Sequence, residues 1–307
     1  MKPVLVIVGP TASGKSEVAQ RVAQLLDGEV VSADSMQIYR GMDIGTAKVL
    51  PAERKVPHHL IDILDPGEPF SAQQFQVLAR RIFTEIEHRD KVAILCGGTG
   101  LYVQAALEAM EFPSGEQIAN PVRQYYEGLA QEQGIQAVWD KLYELDPASA
   151  RVIHPNNVRR VIRALEMHDQ GISYADQVKN IRRLREVVPS CRFGLVRDPD
   201  VLAQRINRRV DTMIDCGLID EVTTLLHAGF RNALTAPQAI GYKEIVAALS
   251  HKITLEQAIE DIKTATRRYA KRQRSWFRRD ERLQWINGEE SSETIAQLIV
   301  TEYQNRI

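Results

Sequence analysis

Val4-Leu5-Val6-Ile7-Val8-Gly9-Pro10-Thr11-Ala12-Ser13-Gly14-Lys15-Ser16 is the stretch that decides the fold. Its first five residues are a continuous β-branched and apolar run, the pattern of a strand buried on both faces of a parallel sheet. Its last eight match G-x-x-x-x-G-K-[ST], a glycine-rich turn set between strand and helix. Downstream, Val18, Ala19, Val22, Ala23, Leu25 and Leu26 recur at helical spacing, and Glu29 to Ala33 reads as the next strand. Strand, glycine turn, helix and strand make a βαβ unit. In such a unit the loop Gly9, Pro10, Thr11, Ala12, Ser13, Gly14, Lys15, Ser16 is a candidate diphosphate-binding segment. Glycines let the backbone wrap an anion, amides and the helix N-terminus point positive charge at it, Lys15 reaches the terminal phosphate, and Ser16 can hold Mg²⁺. A phosphate cradle does not specify a reaction, so kinases, NTPases and other diphosphate-using enzymes stay open.

Further along, Val92 to Cys96 is a strand that runs into Gly97-Gly98-Thr99-Gly100 and a helix to about Leu107. Phe193 to Val196 is another, followed by Asp198 as an N-cap with Pro199 at the first helical position. Between Glu111 and about Pro189 the strand signal vanishes. Helical segments such as Val122 to Gln133 and Val158 to His168 replace it, with breakers at Pro113, Gly115, Pro121, Gly134, Pro147 and Gly171. Helices over Leu202 to Ile214, Glu221 to Leu226 (stopped at Gly229) and Leu255 to Phe277 fill the C-terminal third. A strand from Leu283 to Ile286 and a helix capped near Ser292 close it. The expected fold is α/β: a P-loop NTPase-like parallel sheet flanked by helices over 1–111 and 190–307, with a helical insertion domain over 112–189.

Composition narrows the classes. The 307 residues, 44% hydrophobic and 26% charged, fit one large domain or two ordinary ones and exclude collagen-like, disordered and coiled-coil chains. No apolar run approaches the roughly 18 residues a bilayer span needs, and no small-residue cleavage site follows Val4 to Val8, so neither a membrane partner nor a signal peptide is expected. Cys96, Cys191 and Cys216 are too scattered for a disulfide framework, which makes a reducing cytoplasm the default. The formal charge of −1 hides an asymmetry. Lys263, Arg267, Arg268, Lys271, Arg272, Arg274, Arg278, Arg279 and Arg282 crowd one segment, and Arg159, Arg160, Arg163, Lys179, Arg182, Arg183 and Arg185 another. Both segments suit phosphates.

Asp34 stands at the C-terminal end of the second strand, the side of an open α/β sheet where ligands bind. There it is either a general base or a turn carboxylate. Gly97 to Tyr102 is again a strand end entering a helix, whose amides and Thr99 hydroxyl can donate to an anion. His58 and His59, though followed by Asp62, are neighbours that diverge on any regular element, so no metal is expected there. Tyr269, Trp276 and Phe277 interleave the basic helix, for core packing or base stacking. At this level three readings compete: a group-transfer enzyme acting on a diphosphate, a small-molecule kinase, and a P-loop RNA-binding module or switch.

The sequence closely resembles the tRNA dimethylallyltransferase (isopentenyl-tRNA transferase) family in its bacterial form. The resemblance rests on GPTASGKS (Gly9 to Ser16), DSMQIYRGMDIGTAK (Asp34 to Lys48), HHLID (His58 to Asp62), GGTGLY (Gly97 to Tyr102), RALE (Arg163 to Glu166), QAIGYKE (Gln238 to Glu244) and AKRQ with the following tryptophan (Ala270 to Trp276). It implies a cytoplasmic prenyltransferase, expected as a monomer, moving a dimethylallyl group from dimethylallyl diphosphate to N6 of the adenosine 3′ of the anticodon in the tRNA anticodon stem-loop. The P-loop then cradles diphosphate instead of ATP, with Mg²⁺ as helper ion. By the same resemblance Asp34 is the general base, Thr99 contacts the oxygen bridging C1 to the diphosphate, and an arginine of the Arg205–Arg209 stretch, with Arg209 favoured, binds the diphosphate. Ser35, Met36 and Gln37, the run Arg159, Arg160, Val161, Ile162 and Arg163, and the run Gln238, Ala239, Ile240, Gly241, Tyr242 and Lys243 match tRNA-contacting segments.

Overall fold

A computed structural model describes residues 2–112, 120–181, 184–228, 230 and 236–306. Pro113, Gly115, Arg182, Arg183 and Gly229 lie outside the described residues. The described chain forms two compact units, Met1–Leu107 with Val187–Ile307, and Glu108–Glu186.

In the first unit the chain runs β1 (Val4–Val8), α1 (Lys15–Leu25), β2 (Gly28–Ala33), β3 (His58–His59), α2 (Ala72–Glu87), β4 (Val92–Gly97) and α3 (Gly100–Leu107). The second unit holds α4 (Pro121–Gln133), α5 (Ile135–Leu145), α6 (Pro147–Val152), α7 (Val158–Asp169) and α8 (Tyr174–Ile181). The first unit resumes with β5 (Ser190–Val196), α9 (Pro199–Asp215), α10 (Leu218–His227), α11 (Tyr242–Leu249), α12 (Leu255–Phe277), β6 (Leu283–Asn287) and α13 (Ser292–Gln304). The last helix is capped by Ser291, one residue before the position read from sequence.

All strand pairs are parallel, in the order β3-β2-β4-β1-β5-β6. The unbroken apolar run of β1 follows from its central place. Val4, Val6 and Val8 pack on one face with Phe75, Phe83, Tyr102 and Phe277, while Leu5 and Ile7 pack on the other with α1 and with Ile295, Ile299 and Tyr303 of α13. Each such side chain contributes about 1.5–3 kcal/mol by leaving water. Parallel pairing also sends every strand's C-terminus to one edge. Val8 lies opposite Gly97, and Gly97 opposite Ala33, so Gly9, Gly98 and Asp34 leave the sheet side by side.

A third cluster joins Ile38, Tyr39 and Met42, beyond β2, to Leu218, Val222, Tyr242, Ile245 and Ile262 of the C-terminal helices. The helical unit has its own core around Val138, Leu142, Val161, Ile162 and Leu165.

Candidate active site

The three loops that leave the sheet edge meet at one pocket of about 460 Å³, partly open to solvent. Thr11, Lys15 and Ser16 line it from the P-loop, Asp34 and Gln37 from the end of β2, Cys96 and Gly97 from the end of β4, and Arg209 and Tyr269 from α9 and α12. Every catalytic candidate but Thr99 faces this pocket directly. Thr99 stands beside it: its Oγ1 accepts the Ser35 amide at 3.1 Å, and its own amide donates to Ala33 O at 3.1 Å.

The P-loop is built as an anion cradle. Ala12 and Gly14 adopt positive φ, 62° and 96°, which turns successive amides toward a common point. The amides of Ala12, Gly14, Lys15 and Ser16 have no acceptor among the described residues. Lys15 Nζ reaches only Pro10 O, at 3.3 Å. Burial pushes its ammonium below the ordinary value; Arg209 adds to the drop and Asp34 opposes it. Arg209 is likewise pushed down by burial and lacks any hydrogen-bond partner among the described residues. Two crowded cations without a paired anion favour an anionic ligand strongly, because it relieves both. Arg205 is different: its Nε donates to Ala12 O at 3.0 Å, outside the cradle. The geometry therefore separates the two arginines, with Arg209 in the pocket and Arg205 behind the loop.

Asp34 Oδ1 accepts the Met36 amide at 2.9 Å, so the turn-carboxylate reading holds for one oxygen, while the residue still lines the pocket. Tyr269 stands close to Thr99 and Asp34, and burial pushes its phenol up to about 12, which keeps it a proton donor. For Mg²⁺ the available donors are the Ser16 hydroxyl, with no hydrogen-bond partner among the described residues, and the Asp34 carboxylate. These hard oxygens fit the ion, which characteristically takes its remaining ligands from water and phosphate. Among the described residues no group of three or more His, Cys, Asp or Glu side chains could hold a metal by itself.

Several contributors escape sequence reading. Gln273, 5% exposed on α12, accepts the Thr11 amide at 2.9 Å and donates to Gly98 O at 3.0 Å, tying the P-loop to the β4 loop. Its signal was its place in the Ala270–Gln273 stretch. A Cβ at Gly98 would stand 2.1 Å from Gln273 Nε2 and would displace that amide, and at Gly100 one would stand 2.2 Å from the Trp276 ring. Trp276 thus packs in the core side of the helix, against the cluster beneath the sheet. Glu221 accepts the amides of Asp43, Ile44 and Gly45 at 2.7–3.2 Å and the Tyr242 hydroxyl at 2.6 Å. It fixes the segment whose Thr46 and Ala47 wall the pocket. Buried Lys48 bonds Asp43 and Asp62, each at 2.6 Å, and His59 bonds Glu29 at 2.6 Å.

The segments expected to contact tRNA divide by exposure. Arg159 and Arg160 are exposed on α7, and Gln238 and Lys243 are exposed beside α11. Val161 and Ile162, 0% and 4% exposed, belong to the helical unit's core, and Arg163 pairs with the fully buried Glu166 carboxylate at 3.2 Å. Ala239 is buried, Gly241 N is capped by Glu244, and Tyr242 is 0% exposed. These side chains are buried, so the most exposed members of the two runs are Arg159, Arg160, Gln238 and Lys243. Ile240 and Met36 pack partly against the third cluster. Gln37 accepts from Ser32 Oγ at 3.0 Å and donates to Thr46 O at 3.3 Å, on the pocket wall. Of the basic segment, Arg268, Lys271 and Arg272 on α12 and Arg278 and Arg279 just beyond it are exposed, whereas Lys263 and Arg267 are bonded to Asp211 and Asn207 of α9. Among the described residues no helix is long and apolar enough to cross a membrane.

The IPP transferase family profile matches residues 37–280. The chain is 48% identical over 308 residues to a tRNA dimethylallyltransferase of Carboxydothermus hydrogenoformans, covering 97% of this chain and 96% of that one. It is 48% identical to another from Geobacillus thermodenitrificans, covering 92% and 90%. The crystal structure of a tRNA delta(2)-isopentenylpyrophosphate transferase from Staphylococcus epidermidis matches with a TM-score of 0.73 at 38% identity, over the full length of both chains. A eukaryotic dimethylallyltransferase acting on tRNA matches at 0.76 with 29% identity, covering 100% of this chain and 78% of that one. With the strand-end loops gathered on one pocket and nearly the whole length shared with such relatives, the chain belongs to the IPP transferase family.

Proposed function

We propose that the chain transfers a dimethylallyl group from dimethylallyl diphosphate to N6 of the adenosine 3′ of the anticodon, position 37, in tRNA and releases diphosphate. The observation that carries this reading is one pocket in which unpaired cations and amides of the P-loop face the Asp34 carboxylate. Attack by N6 at C1 forms the C–N bond as the C1–O bond breaks, and the electron pair leaves on diphosphate. Lys15, Arg209 and the free amides are placed to stabilise that leaving charge, which is most valuable in a water-poor site. Asp34 accepts the N6 proton, a contribution of roughly 10²- to 10⁴-fold. Thr99, positioned by Ser35, serves the bridging oxygen. The Ser16 hydroxyl would hold Mg²⁺, which would supply further neutralisation of the leaving-group charge.

Exposed Arg159, Arg160 and the free cations of α12 offer phosphate contacts to the anticodon stem-loop. Such contacts offset the few kcal/mol needed to unstack the target base. The test incubates the protein with unmodified tRNA and either dimethylallyl diphosphate or ATP, followed by nucleoside mass analysis. One C5 unit on adenosine, with the prenyl donor alone, is expected. Phosphorylated product with ATP and no C5 adduct sinks the reading in favour of a kinase.

A further inference from the structure

Distant side chains hold the P-loop backbone from outside, among them Gln273 on the Thr11 amide and Arg205 on the Ala12 carbonyl, and one of them has a directional consequence. Arg197, just beyond β5, donates from Nε to Ser13 O at 3.0 Å. A trans peptide is planar, with its C=O and the following N–H pointing in opposite directions. Holding the Ser13 carbonyl outward therefore turns the Gly14 N–H inward, where no acceptor among the described residues meets it. The φ of 96° at Gly14 then continues the chain so that the Lys15 and Ser16 amides follow into the same concavity. Without an external hold, a glycine-bearing peptide flips readily, because glycine has no Cβ to favour one orientation.

Arg197 is itself fixed. A Cβ at Gly288 would stand 3.2 Å from Arg197 Cγ, so that glycine leaves room for the arginine stem, and Gly288 N donates to Val196 O at 2.7 Å. Burial pushes the Arg197 guanidinium below the ordinary value; Arg205, which holds the preceding carbonyl of Ala12, adds to the drop and Glu289 opposes it.

We infer that Arg197 is a positioning residue for diphosphate: it holds the Ser13–Gly14 peptide in the orientation that presents the Gly14 amide to the leaving group. This rests on the donor reading of the P-loop given above. Arg197 touches no reacting atom; its action passes through one peptide plane.

The test titrates the full-length protein with inorganic diphosphate and Mg²⁺ by calorimetry, and follows the ¹⁵N–¹H resonance of Gly14. Arg197→Met keeps most of the stem and removes the donor, and Arg197→Lys keeps a charge on a differently shaped head. For wild type, saturable binding and a diphosphate-dependent shift of the Gly14 amide are expected. Arg197→Met should bind diphosphate about tenfold more weakly, the scale of one hydrogen bond to a charged group, and lose the Gly14 shift. Arg197→Lys should recover part of both. KM for dimethylallyl diphosphate should rise in parallel while KM for tRNA stays put, a split that general loosening of the fold does not produce. Wild-type affinity and an unchanged Gly14 shift in Arg197→Met overturn the proposal and leave the donor reading intact. No saturable diphosphate binding by wild type overturns both. Should Arg197→Met fail to fold, Arg197→Lys decides: full wild-type affinity with an unaltered Gly14 resonance counts against the peptide hold.

Discussion

Gln273→Leu isolates the tie between two catalytic loops. The substitution keeps a branched side chain of similar bulk at a 5% exposed position and removes both polar atoms. The Thr11 amide, bonded at 2.9 Å, and the Gly98 carbonyl, bonded at 3.0 Å, lose their partners. An unsatisfied buried group costs roughly 1–3 kcal/mol; Gly98 is buried and Thr11 only half-buried, so a sum of about 2–4 kcal/mol is expected. At about 1.5 °C per kcal/mol for a protein of this size, the main thermal transition should fall by roughly 3–6 °C. Function should suffer more than stability. A misplacement near 1 Å costs about 10²-fold when groups must be held in register, so single-turnover transfer of the C5 unit to tRNA should slow by roughly 10- to 100-fold. Differential scanning and rapid-quench assays on one preparation read both quantities. A transition within 1 °C of wild type together with transfer within twofold refutes the role given to Gln273.

Asp34→Asn should lower turnover by about 10²- to 10⁴-fold with little change in tRNA affinity; near wild-type turnover removes the carboxylate from the mechanism. Gly100→Ala drives a Cβ to within 2.2 Å of the Trp276 ring and should destabilise by about 1–3 kcal/mol in denaturant unfolding, with Trp276→Leu in the same chain recovering part of the loss. Glu29 gives a pH dependence: burial alone would raise its pKa, but hydrogen bonds from Arg89 and His59 hold it below the ordinary 4.5. Its contribution to stability is therefore fully present above about pH 4.5 and is lost as pH falls through the depressed native value. Arg89→Met should flatten that acid limb of the stability profile, and an unaltered limb counts against the pairing. Replacing exposed Arg159 and Arg160 together by alanine should reduce the slope of log tRNA affinity against log salt by about 1–2, measured by filter binding, while dimethylallyl diphosphate binding stays constant.

What sequence could reveal followed the range of the interactions. The P-loop, Asp34 and Gly97–Gly100 are legible because each sits at a junction of strand and helix, and strand ends of a parallel sheet share an edge. Gln273 is marked only by its place in the Ala270–Gln273 stretch, and Glu221 by no local pattern, because their partners lie 262 and about 177 residues away. Arg197 hides for the same reason, 184 residues from Ser13. The burial of Val161 and Ile162 has another cause. Five consecutive residues cannot share one helical face, so a run from Arg159 to Arg163 necessarily sends its middle inward once α7 has a core to cover. The run from Gln238 to Lys243 divides similarly: glycine and tyrosine anchor the start of α11, and only Gln238 and Lys243 meet solvent.

The central place of β1 carries a cost in time. Its neighbours are β4 and β5, and Val4 pairs with Ser190, so β1 waits for one of its partners until the chain between them has been made. On a ribosome adding about 5–20 residues per second, that interval is roughly 10–40 s. Throughout it Val4–Val8, five apolar residues with a free edge, has no native shield on one flank, the kind of segment that associates with other nascent chains. Gln273 arrives later still, so a truncated polypeptide retains the Gly9–Ser16 motif yet lacks the clasp that shapes it. Fragments ending before α12 should therefore be poor ligand binders and prone to aggregate, however intact their nucleotide-like signature reads.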